Sequence, residues 1–221
     1  MSTLLPFIEI ETHASPDASI IWLHGLGADG YDFEPIVPEL KLDDLALRFI
    51  FPHAPMRPVT LNGGAQMRAW YDILGMDLQA EEDAQGIISS AVAVNELIAH
   101  EAARGIPLQR IILAGFSQGG AIALHTGIRQ TEPLGGILAL STYLPLAKHL
   151  AQQQKPINHS VPILFAHGEH DPVIPMQFAK LSAELLSTAG FQIQWQAYPM
   201  AHTLCPAEIQ TISQWLRDCL S

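Results

Sequence analysis

Seven short runs in the chain are apolar throughout or alternate apolar with polar: Phe7 to Glu11, Ser19 to His24, Leu47 to Pro52, Arg110 to Phe116, Gly136 to Ser141, Pro162 to His167 and Gln192 to Tyr198. Several are near-continuous Ile, Leu and Val, the pattern of strands buried on both faces of a parallel sheet. Between them the period changes to that of a helix. Asp83 to Arg104 carries Ile87, Ile88, Ala91, Val92, Leu97 and Ile98 as an apolar stripe, and it stops at Gly105 with Pro107 beyond. Gln118 to Gln130 is a second helix. Pro175 to Thr188 is a third, with Phe178, Leu181, Leu185 and Leu186, and Gly190 past its end. Pro206 to Leu220 closes the chain with Ile209, Ile212, Trp215 and Leu216.

Strands alternating with helices at this spacing predict right-handed βαβ units and an α/β fold: about seven strands in a mostly parallel, doubly wound sheet with helices on both faces. No repeat, low-complexity tract or linker-like shift divides residues 1–221, so one domain is expected. The longest stretch without a clear pattern runs from Pro52 to Glu82 and contains PHAP, NGG and ILGM. Loops that long in a compact domain are more often functional than idle.

Composition narrows the function classes. Hydrophobic residues make up 48% of the 221 and charged residues 15%, which speaks against extended disorder. The net charge of −11, with no block of Lys or Arg, argues against nucleic acid or an anionic membrane surface as a partner. The opening MSTLLPFIEIE has no positive n-region, and no segment has the apolar length of a spanning helix. Cys205 and Cys219 are too few for a disulfide framework and are expected as thiols. These readings point to a cytoplasmic protein, monomeric or homodimeric, without integral membrane association.

The chemistry begins at residues 114–120, AGFSQGG, directly after Ile111, Ile112 and Leu113. A phosphate-binding turn needs GxxxxGK[ST] or GxGxxG, and this stretch supplies neither. Gly115 to Gly119 instead reads GxSxG between a predicted strand and a predicted helix, the setting of a nucleophilic serine. A serine that merely caps a helix fits the short pattern equally well, so partners must decide. A serine hydroxyl needs a base, and the base needs an acid to orient it. On an open α/β sheet these should follow in the order serine, acid, histidine, each in a loop at the carboxyl end of a strand.

Two loops meet the requirement. GEHDP (168–172) follows one strand and PMAH (199–202) follows another, offering Asp171 and His202. Glu169 is a rival acid, though an Asp-Pro pair closing a turn favours Asp171. His167 and His170 form an HxxH without a third ligand at metal-site spacing, so no metal is expected. An oxyanion needs two N–H donors: that of Gln118, after the nucleophile, and one from the early loop HGLG (24–27), that of Leu26. His24 reads as a support for that loop. Apolar residues in the surrounding loops, namely Leu26, Trp70, Ile73, Leu74, Met76, Phe116, Tyr143 and Leu144, are candidates for an acyl pocket. No insertion is long enough for a lid domain, so a shallow, tolerant groove is expected.

The chain also resembles the acyl-protein thioesterases, lysophospholipases and small bacterial carboxylesterases of the α/β-hydrolases. The matching stretches are LHGLGADGYDF (23–33), FPHAPMRPVTLNGG (51–64), AWYDI (69–73), GFSQGGAIAL (115–124), LSTYLP (140–145), HGEHDPVIP (167–175) and PMAH (199–202). They run through almost the whole chain. The resemblance implies an α/β-hydrolase fold without a large cap domain, and a cofactor-free serine esterase acting on small esters or thioesters. It implies Ser117 as nucleophile, Asp171 as acid, His202 as base, and the N–H groups of Leu26 and Gln118 as oxyanion donors. Cys205 and Pro206 stand where relatives vary, and Cys205 is given no role.

Overall fold

The computed structural model describes residues 4–75, 81–153 and 155–221. Its main sheet has seven strands: β1 (Phe7–Glu11), β2 (Ala18–Leu23), β3 (Leu47–Pro52), β6 (Ile111–Phe116), β7 (Gly136–Leu140), β8 (Ile163–Gly168) and β9 (Ile193–Tyr198). Their order across the sheet is β1-β3-β2-β6-β7-β8-β9, antiparallel only between β1 and β3. All seven coincide with the predicted runs to within about a residue at either end.

Alternation along the strands separates two cores. Ile21 and Leu23 of β2 face one, while Ala18, Ile20 and Trp22 face the other. Helices α2 (Ala84–Ala103), α3 (Gln118–Gly127), α4 (Leu150–Gln153) and α5 (Met176–Thr188) cover the first face. Helices α1 (Ile36–Leu40) and α6 (Pro206–Leu220) cover the second. The doubly wound α/β architecture follows, each sheet face burying its apolar set against helices.

Several expectations are corrected. In α2 the stripe does not include Ile88 and Val92, which are exposed; Ser90, Val94 and Glu101 take the inward positions beside Ile87, Ala91, Leu97 and Ile98. Four residues apart, Ile88 and Val92 form their own row on the flank of the helix. Leu181 and Leu185 of α5 lie outward in the same way, while Ala179, Ser182, Ala183 and Leu186 pack inward. The stretch from Pro52 to Glu82 contains a hairpin, β4 (Met56–Val59) and β5 (Ala65–Arg68), turning through Gly63 and Gly64 at positive φ. Four-residue strands that are half exposed and include Pro58 leave no apolar period to read.

The winding direction reverses between β2 and β6. The chain leaves β2 toward β3 on one side, and β6 lies on the other. A crevice therefore opens at the carboxyl ends of these two strands, between the loops that follow them. Among the described residues no helix is long and apolar enough to cross a membrane.

Candidate active site

Ser117 stands between β6 and α3 with φ 54° and ψ −121°, a conformation that a residue with a side chain adopts only under constraint. Three hydrogen bonds hold its backbone: its N–H donates to Leu140 O at 2.8 Å, and its carbonyl accepts from Ala121 N at 3.1 Å and Thr142 Oγ1 at 2.6 Å. The hydroxyl makes no capping bond to α3, so the role of a simple helix cap does not apply.

The glycines around it are required by close approach. A Cβ on Gly115 would stand 2.4 Å from the Gly119 backbone, and one on Gly119 would stand 2.3 Å from Leu23 O. Strand β6, the start of α3 and the end of β2 meet here backbone to backbone. That packing brings the N-terminus of α3, with its unpaired N–H groups, to the serine.

The loops that carry Asp171 and His202 meet at the ends of β8 and β9. Gly168 permits this, since a Cβ there would lie 2.4 Å from Ala201 O and 2.5 Å from Met200 O. Asp171 is buried. Its Oδ1 accepts from Val173 N at 2.8 Å and Ile174 N at 2.9 Å, which leaves Oδ2 for His202 Nδ1 at 2.6 Å. With Nδ1–H donating to the carboxylate, His202 Nε2 keeps its lone pair. The His202 ring packs on Phe116, with ring centroids 4.7 Å apart, beside Ser117 in the chain.

The rival residues fall elsewhere. Glu169 is exposed, as is His170. His167 is buried; its Nε2–H donates to Ile174 O at 2.8 Å, and burial lowers its pKa despite Asp171 Oδ2 at 3.5 Å. It supports the Asp171 loop as a neutral imidazole.

The early loop is built around His24. Its Nε2 accepts from Ala54 N at 3.0 Å, so Nδ1 carries the proton and donates to Gly25 O at 2.7 Å. Burial lowers its pKa to about 4, which keeps it neutral as a strut. Gly27 N–H is spent on Arg68 O and Ala28 N–H on Gly25 O. Among the described residues the Leu26 N–H is given to no backbone carbonyl. Gln118, first in α3, has no intrahelical partner for its N–H either.

The Gln118 side chain has a part that sequence reasoning did not assign. Its Oε1 accepts from Trp70 N at 2.8 Å, and its Nε2 donates to Tyr71 O at 2.7 Å, tying the segment after β5 to the serine turn. Nothing in a GxSxG pattern signals it, because the partners are main-chain groups 47 and 48 residues away.

A cleft of about 300 Å³ opens over Ser117, Gln118 and Leu26. Of the acyl-pocket candidates, Leu26, Ile73, Leu74, Tyr143 and Leu144 line it, and Met76 lies outside the described residues. Trp70 and Phe116 do not line it. Trp70 is fully buried and donates Nε1–H to His24 O at 2.9 Å, while Phe116 turns toward Phe33 and His202. Leu61, Tyr71, Val173, Ile174 and Phe178 line it without having been singled out. Among the described residues the charged lining comprises Asp72, Glu81, Glu82, Asp83 and Lys148. Tyr71 and Tyr143 share a hydroxyl–hydroxyl bond of 2.9 Å, and burial raises both pKa values, so both stay neutral.

Comparison with known proteins shows the family. The phospholipase/carboxylesterase family model matches residues 6–220. Acyl-protein thioesterase 1 of Gibberella zeae is 41% identical over 215 residues, covering 92% of this chain and 91% of that protein. The protein of the same name in Yarrowia lipolytica is 36% identical, with 96% of each chain covered. The crystal structure of Arabidopsis thaliana SOBER1 superposes with a TM-score of 0.88 at 30% identity, covering 92% of this chain and 99% of that one. The chain belongs to the phospholipase/carboxylesterase family of the α/β-hydrolases.

Proposed function

We propose that the chain hydrolyses fatty acyl thioesters and esters through an acyl-enzyme formed on Ser117. His202 Nε2 takes the hydroxyl proton as Oγ bonds to the carbonyl carbon, and Asp171 stabilises the imidazolium. The N–H groups of Leu26 and Gln118 hold the oxyanion. Collapse of the tetrahedral intermediate breaks the bond to the leaving thiol or alcohol, which takes the proton from His202. Water then attacks the acyl-serine with His202 again as base, and the carboxylic acid departs.

The observation that carries this reading is the placement of Ser117. A serine held at positive φ, not capping its helix, lines an apolar cleft, and the His202 ring bonded to Asp171 packs on the adjacent Phe116. The thioester preference is supported by the relatives named acyl-protein thioesterase 1. The lining charges support it further: among the described residues, four carboxylates against one ammonium oppose an anionic phosphate headgroup. The two unpaired cysteines suit a reducing compartment, where thioesters of protein cysteines occur.

A fluorophosphonate should label the wild type at Ser117 and leave Ser117→Ala unlabelled and inactive with its fold intact. Labelling of Ser117→Ala would overturn the assignment. Hydrolysis of an acylated cysteine peptide should exceed that of a lysophospholipid with the same acyl chain; the reverse order would overturn the substrate preference.

A further inference from the structure

The loop after β7 forms one wall of the cleft and is held more firmly than a connecting loop needs. Ser141 and Leu146 both have positive φ, at 45° and 52°. Partners from separate elements fix it: Ser141 N–H donates to Ala166 O, Leu144 N–H to Ser182 Oγ, and Leu146 N–H to Glu82 Oε1. Such strain persists only where surrounding contacts over-determine it, and it gathers at functional sites. The opposite wall, the segment after β5, is held by the Gln118 side chain at Trp70 and Tyr71. The two walls join directly where Tyr71 and Tyr143 meet, 2.9 Å between hydroxyl oxygens, with both residues lining the cleft.

We infer that the Tyr71–Tyr143 hydroxyl pair is a latch that fixes the distance between the cleft walls and so sets the length of acyl chain accepted. An acyl chain that ends short of the pair leaves it undisturbed. A longer chain must part the walls and break this part-buried hydrogen bond. The inference rests on Ser117 being the acyl-bearing residue and on the cleft receiving the acyl chain. Tyr71 and Tyr143 act on specificity through the walls and take no part in bond making.

The test compares Tyr71→Phe, Tyr143→Phe and the double variant on nitrophenyl butanoate and dodecanoate. Each single change breaks the same bond from one side, so either variant that folds is sufficient. The ratio of kcat/KM for the long ester to that for the short one should rise about fivefold in each single variant. The double variant should show about the same ratio as the singles, because the bond can be lost only once. Unchanged ratios in the folded variants, or single effects that multiply in the double, would overturn the latch. Fluorophosphonate labelling of the wild type reports on Ser117 separately: labelled enzyme with unchanged ratios refutes the latch alone, and an unlabelled wild type refutes the serine reading.

Discussion

Gly119→Ala tests whether the meeting of β2, β6 and α3 is what makes the serine turn work. The added Cβ would stand 2.3 Å from Leu23 O, 2.6 Å from Leu23 C and 2.6 Å from His24 O. All three are main-chain atoms, so no side chain can swing aside. The carbonyls themselves are committed: Leu23 lies in the ladder opposite Gly115, and His24 O accepts the Trp70 indole N–H at 2.9 Å. An unforced contact begins near 3.4 Å, so about 1 Å of separation must be found, and the start of α3 is the part that can move. Gln118 precedes Gly119 and would carry its N–H away from the serine by a similar distance. Its side-chain bonds to Trp70 and Tyr71 would stretch with it.

Overpacking of this kind costs about 1–3 kcal/mol of stability. A misplacement of about 1 Å at reacting groups costs on the order of a hundredfold in rate. Gly105→Ala supplies the control. Gly105 follows α2 at φ 97°, and a Cβ there meets nothing within 4 Å, so the change introduces backbone strain of about 1–2 kcal/mol without a clash. Urea unfolding should find the two variants comparably destabilised. Ester hydrolysis at a temperature where both are folded should find only Gly119→Ala slowed about a hundredfold, chiefly in kcat. Wild-type turnover in Gly119→Ala, or an equal loss in Gly105→Ala, would refute the argument that this close approach places the oxyanion donor.

Two further outcomes follow from buried carboxyl groups. Asp171→Asn should lower kcat by about 10³ to 10⁴ with little change in KM, because an amide cannot accept from Val173, Ile174 and His202 together and favours the wrong histidine tautomer; a loss under tenfold in steady-state kinetics would contradict it. Glu208, fully buried in the first turn of α6, has both carboxylate oxygens without a well-formed hydrogen bond and only partial help from Cys205 N–H, and burial raises its pKa to about 8. The folded state then holds a proton that the unfolded chain has already released, so this group's contribution, present at acid pH, is lost as pH rises toward about 8. Glu208→Gln should therefore be the more stable protein at pH 8, by on the order of 3 kcal/mol relative to its difference at pH 4, as read from urea midpoints; the same difference at both pH values would refute it.

What could be read from the sequence follows the range of the physics involved. The strands carry their own signal: the inner ones are buried on both faces and near-continuously apolar, as Ile111, Ile112 and Leu113 are, while the edge strands β1 and β9 alternate. Ser117, Asp171 and His202 could be proposed from sequence because sheet topology ties each to the end of a strand, and the structure brings Asp171 and His202 into a hydrogen bond. The cleft was less legible. Its lining is selected by which way a loop side chain turns, and Trp70 and Tyr71, adjacent in the chain, illustrate the difference. Trp70 turns inward to His24 O, while Tyr71 turns into the cleft to meet a partner 72 residues away. Phe116 beside Ser117 likewise packs on the histidine ring. Composition suggests that such residues are apolar and near the site; only the folded loops decide whether they touch an acyl chain or support the groups that do. The distinction has a consequence for mutagenesis. Altering Trp70 or Phe116 should act first on the oxyanion loop or on His202, and so on kcat for every acyl chain. Altering Tyr71 or Tyr143 should instead reorder the acyl chains among themselves.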